Sequence, residues 1–89
     1  MKMQDKKAVA LHYSPDLPAP FIAARGRGHL AERILKIARR EGIPLRDDRD
    51  LTEVLFTMDV GSFIPEDLYQ VIAEIYAFVV EMQGDYAEY

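Results

Sequence analysis

His29-Leu30-Ala31-Glu32-Arg33-Ile34-Leu35-Lys36-Ile37-Ala38-Arg39-Arg40-Glu41-Gly42-Ile43-Pro44 is the stretch that sets the fold. Leu30, Ile34, Ile37 and Ala38 recur at i, i+4, i+7 and i+8, which predicts a single apolar stripe along a helix. Arg33, Lys36 and Arg40 fall in a narrow arc beside that stripe and form a basic strip facing solvent. Arg39 and Arg40 suit the negative end of the helix, Gly42 supplies a left-handed stop, and Pro44 forbids continuation.

On the N-terminal side, Ala8-Val9-Ala10-Leu11-His12-Tyr13 is a short apolar run stopped by Ser14-Pro15-Asp16, so it reads as a largely buried strand. Pro18 and Pro20 bracket Ala19 in a segment biased to extended angles. A second strand follows over residues 21–25, and Gly26 and Gly28 break the pattern before the helix.

On the C-terminal side, residues 44–47 read as a third strand that closes a βαβ arrangement. Asp50, with Glu53 three residues on, predicts a capped second helix with Leu51, Val54, Leu55 and Met58 inward. Pro65 followed by Glu66 and Asp67 predicts a third helix start. Leu68, Ile72, Ile75, Val79 and Met82 then supply its apolar face. Gly84 is expected to end it and residues 84–89 to fray. The resulting fold class is α/β, a small sheet of about three strands packed with three helices. The division is an N-terminal extension over residues 1–7, partly disordered, a domain over residues 8–83, and the tail.

Eighty-nine residues allow one domain. The chain has no cysteine, which removes disulfides, thiolate nucleophiles and thiolate metal sites together. No run approaches the roughly 20 apolar residues of a membrane span, and the first residues lack the apolar stretch of a signal peptide. The expectation is a free soluble protein. Charge is unevenly placed: residues 1–46 carry ten Lys/Arg against four acids, and residues 47–89 one against eleven. Those halves are +6 and −10, summing to −4. An overall acidic chain disfavours nonspecific nucleic-acid binding.

Arg25-Gly26-Arg27-Gly28-His29 offers backbone N–H groups, Arg25, Arg27 and His29 at a helix start, a candidate anion site. The competing reading is a tight strand-to-helix turn, since the spacing is neither a P-loop nor a dinucleotide fingerprint. His12 and His29 have no partners at metal-ligand spacing, and the Ser and Thr residues lack a triad context, so no metal, cofactor or catalytic site is expected. Asp47-Asp48-Arg49-Asp50 lacks the loop, glycine and terminal glutamate of a calcium site and reads as a turn with a helix cap.

Taken in order, the strand at residues 8–13, Pro18-Ala19-Pro20-Phe21-Ile22-Ala23-Ala24-Arg25-Gly26, the Glu41-Gly42-Ile43-Pro44 stop and Ile64-Pro65-Glu66-Asp67-Leu68-Tyr69 resemble the cytoplasmic domain of the FlhB/YscU export-apparatus switch proteins. The resemblance covers residues 8–82. In that family a self-cleaving Asn-Pro-Thr-His tetrapeptide precedes the first of these strands; here Met3, Gln4, Asp5 and Lys6 stand there. The resemblance therefore implies no autocleavage and a non-enzymatic protein-binding module. It also implies a mixed sheet lacking the family's leading strand, with an edge left exposed for a partner to fill. Ala19 and Pro20 against Ala73 and Tyr76 would form a shallow apolar pocket for export substrates. Tyr76 stands where the family usually has a smaller aliphatic residue, and is expected to narrow or fill that pocket. The implied partners are proteins of the flagellar or type III export apparatus, or its substrates. The implied location is cytoplasmic, peripheral at the export gate, as a monomer or weak oligomer. The alternative function is a small anion- or nucleotide-binding regulator using the 25–29 turn.

Overall fold

The computed structural model describes residues 5–89. Met3 and Gln4, and with them most of the expected N-terminal extension, lie outside the described residues. β1 (Lys7–Tyr13) and β2 (Phe21–Arg27) form an antiparallel pair. α1 (His29–Arg40), β3 (Leu45–Arg46), α2 (Arg49–Phe56), a 3-10 turn (Glu66–Leu68), α3 (Tyr69–Val79) and β4 (Gly84–Glu88) follow. The α/β class and the three helices are as expected, but the sheet has four strands, ordered β2-β1-β4-β3.

The extra strand is the segment expected to fray. β4 runs antiparallel to β1, with Tyr13 opposite Gly84 and Val9 opposite Glu88, and parallel to β3. Its Tyr86, Ala87 and Glu88 are buried. Position at the chain end gave no warning of this, because Gly84 looks like a helix stop and the run that follows is short and half polar. Glu81 and Met82, both at positive φ, turn the chain back from α3, with Gly84 at φ 105°. β4 pairs with β1 on the side away from β2, so the edges that the sheet exposes are β2 and β3.

Alternation along the strands separates two cores. Val9, Leu11, Ile22 and Tyr86 face Leu51 and Leu55 of α2 and Ile72, Ile75 and Tyr76 of α3. Ala8 faces Ala31 and Leu35 of α1 on the other side. The sheet is thus a middle layer with α1 on one face and α2 and α3 on the other. The β2–α1–β3 unit joins the two edge strands across α1, so β3 does not lie beside β2.

α1 is rotated from its expected setting. Ala31, Leu35 and Ala38 face the sheet, while Leu30 is 60% and Ile37 38% exposed. The cause is Gly26: a Cβ there would lie 2.7 Å from Leu30 Cβ and 3.0 Å from the Ala31 nitrogen. Its absence lets the first turn settle directly on β2, and the small side chains take the contact face. In α2 the cap is Asp48 rather than Asp50; its side chain accepts a hydrogen bond from the Leu51 N–H at 3.1 Å. Val54 points outward at 47% exposure. Pro65 precedes the 3-10 turn, and the α-helix proper begins at Tyr69. Met82, expected on the α3 face, lies beyond the helix end.

Candidate functional site

An apolar groove lies where the segment between β1 and β2 meets α3. The segment turns and bends over residues 15–19, and Pro18 and Pro20 remove two N–H groups that would otherwise need partners. Ala19 between them is buried in the main core. The Pro20 carbonyl accepts from the Ile64 N–H at 2.9 Å, and Phe21 bridges Phe63, so the segment is fastened to the stretch before α3.

Across from it, Tyr69, Ile72, Ala73 and Tyr76 recur at i, i+3, i+4 and i+7 and present one face of α3. Tyr13 and Met82 complete the walls. The groove encloses about 160 Å³ and is almost wholly apolar. A cavity of roughly that size accepts a benzene-sized group, and it is well below the several hundred Å³ of a drug-like ligand site. Its chemistry suits one protruding aliphatic or aromatic side chain.

The structure brings Ala19, Pro20, Ala73 and Tyr76 together as expected. Tyr76, however, lines the floor and leaves the groove open. It is 1% exposed, its hydroxyl donates to the Gly84 carbonyl at 3.1 Å, and its ring meets Tyr86 edge-on at 5.3 Å and Tyr13 at 5.6 Å. Burial, with Asp85 nearby, holds its phenol protonated far above the ordinary tyrosine range. Tyr69 shares a helix face with Ala73 and was legible by spacing; Tyr13 and Met82 arrive only through tertiary folding.

The 25–29 turn sends Arg25 and His29 to opposite sides of the sheet. Arg25 donates to the Phe56 carbonyl at 2.7 Å and lies over the Phe56 ring on the α2 side. His29 opens α1 on the opposite face. Glu32, paired with Lys6, already supplies negative charge to the first turn of α1. The hydroxyls of Thr52, Thr57 and Ser62 each donate to a backbone carbonyl, and that of Ser14 to Asp16. Among the described residues no cluster of three metal-ligating side chains occurs, and no helix is long and apolar enough to cross a membrane.

The FlhB HrpN YscU SpaS family model matches residues 5–79. The YlqH protein of Bacillus subtilis is 42% identical over 78 residues, covering 86% of this chain and 84% of its own length. The flagellar biosynthetic protein FlhB of the same organism is 36% identical over 74 residues, and the chain spans only 21% of that longer relative. Among solved structures, the PscU C-terminal domain superposes with a TM-score of 0.75 at 31% identity, over 81% of this chain and 94% of that one. A mutated EscU/SpaS C-terminal domain gives 0.79 at 26% identity, over 84% and 93%. The sequence match and the shared architecture agree, and the chain belongs to the FlhB/YscU/SpaS family of bacterial flagellar and type III export proteins.

Proposed function

We propose that this chain is a non-enzymatic docking module of the flagellar or type III export machinery, cytoplasmic and peripheral to the export gate. It holds an apolar side chain of an apparatus protein or export substrate between residues 18–20 and α3. The observation that carries this reading is the open apolar groove itself, with Ala73 exposed on its wall and Tyr76 tied down as its floor. Standing in for a cleaved C-terminal fragment of a longer switch protein is compatible with it, but needs no incoming strand, because β4 already lies beside β1.

The test places a photo-crosslinking amino acid at Ala73 in cells assembling the export machinery. Adducts with an apparatus protein or an exported protein are expected, and they should vanish when the probe is moved to Glu41. No adduct, or the same adducts from both positions, overturns the proposal. The absence of enzymatic activity is a separate part of the reading. The chain contains no asparagine to cyclise, and its serine and threonine hydroxyls are engaged as above. Its intact mass should stay constant during prolonged incubation at neutral pH; a defined self-cleavage product would refute this.

A further inference from the structure

We infer that the α1 face of the sheet is a second docking surface, and that its occupant is an acidic amphipathic helix of a partner protein. One helix covers a four-stranded sheet on this side, and its contact residues Ala31 and Leu35 pack at the end where Ala8 and Tyr89 lie. Beyond that end a second apolar groove of about 210 Å³ remains. Its floor is made of Ala10, Ala24 and Ala87 from three adjacent strands, and its wall of Ile34, Ile37 and Ile43. Alanines on the floor leave room above the sheet, and the bulky side chains stand to one side instead of filling it.

Charge specifies the occupant. Ile37 is shared between this groove and the outer face of α1, where Arg33 and Arg40 flank it at i−4 and i+3 and Lys36 lies alongside. Arg33 and Lys36 make no ion pair among the described residues. Glu32 is paired with Lys6 and Glu41 with Arg40, and Asp85, at the groove rim, is in hydrogen-bond contact with His12 at 2.5 Å. Most of the acidic half of the chain lies in α2, α3 and their loops, across the sheet. Two helices plus a sheet separate charges by more than the roughly 8 Å Debye length at physiological salt, so that acidity does not cancel the basic face. A concave apolar trough of that size with a cationic rim fits a helix that seats one or two side chains of its apolar stripe in the trough while its carboxylates meet the arginines. A flat lipid surface would leave the trough unfilled.

The surface is independent of the Ala73 groove and is tested separately. The ¹⁵N-labelled protein is titrated with a synthetic helix bearing Leu and Phe on one face and Glu on the other. Amide shifts are expected at Ala10, Ala24, Ile34 and Ile37, weakening with salt. Arg33→Glu combined with Arg40→Glu, both exposed substitutions, should weaken binding at least tenfold, and replacing Glu by Lys in the peptide should restore it. The inference is overturned if the shifts fall on residues 18–20 and Ala73 instead, or if the Glu and Lys peptides bind the unaltered protein equally. Binding only to anionic phosphatidylglycerol vesicles, or a concentration-dependent dimer that occludes Ile37, overturns it as well.

Discussion

Glu88 is the residue whose setting is least expected from its chemistry. It is fully buried on β4, with Thr52 at 3.4 Å and Arg46 at 4.0 Å, and one carboxylate oxygen has no hydrogen-bond partner. Burial, only partly offset by Tyr86 and Arg46, raises its pKa from 4.5 to about 7. The folded chain therefore holds a proton that the unfolded chain releases near pH 4.5, and stability falls as pH rises from there to about 7. The cost at pH 8 is on the order of 3 kcal/mol. Glu88→Gln should flatten this fall and stabilise the protein at pH 8 by about 1–3 kcal/mol, read from urea unfolding at several pH values. Gly26 carries the opposite constraint. A methyl group there meets Leu30 backbone and Cβ at 2.8 and 2.7 Å, so Gly26→Ala should destabilise by about 1–3 kcal/mol in the same assay. The glycine's place between strand and helix was legible as a turn signal, but the close approach of α1 behind it was not.

At the scale of elements, β4 is the strand on which the sheet depends. It is short and terminal, yet it lies between β1 and β3 and delivers Tyr86 to the main core. Ending the chain at Gln83 would remove a buried aromatic worth about 3–5 kcal/mol and also strip the ladder from one side of β1. Loss of the cooperative thermal transition is the expected outcome, whereas a frayed tail would leave it unchanged. α2 offers a milder test. Asp48→Ala removes the cap accepting from Leu51 and should cost about 1 kcal/mol, while Asp50→Ala should cost much less. The helices were legible because periodicity and stops are local properties. Which acid caps α2, and which side of α1 faces inward, were not, because each depends on contacts made by other elements.

For the whole molecule, the sheet divides charge as well as packing, with a basic α1 layer against acidic α2 and α3 layers. It also brings the described ends of the chain together. Lys6 lies over the Tyr89 ring at 5.8 Å, and β4 ends where β1 begins. Joining Tyr89 to Asp5 through a short turn, with new ends opened between Gln83 and Gly84, should therefore retain the fold. A circular-dichroism spectrum and melting curve close to those of the parent would confirm it; an unfolded permutant would show that β4 cannot lead the chain.

By itself the sequence determined the α/β class, the three helices and the first two strands; through its family resemblance it also pointed to the proline segment lying beside α3. Each rests on a repeat, a stop or an ordered set of motifs carried within a few residues. Only the tertiary structure decided that the last residues form an inner strand, that Tyr76 is the floor of an open groove, and that α1 leaves a second groove over Ala10, Ala24 and Ala87. Strand partners and helix rotation follow from how closely distant backbones approach, and hydropathy along the chain carries no record of that distance.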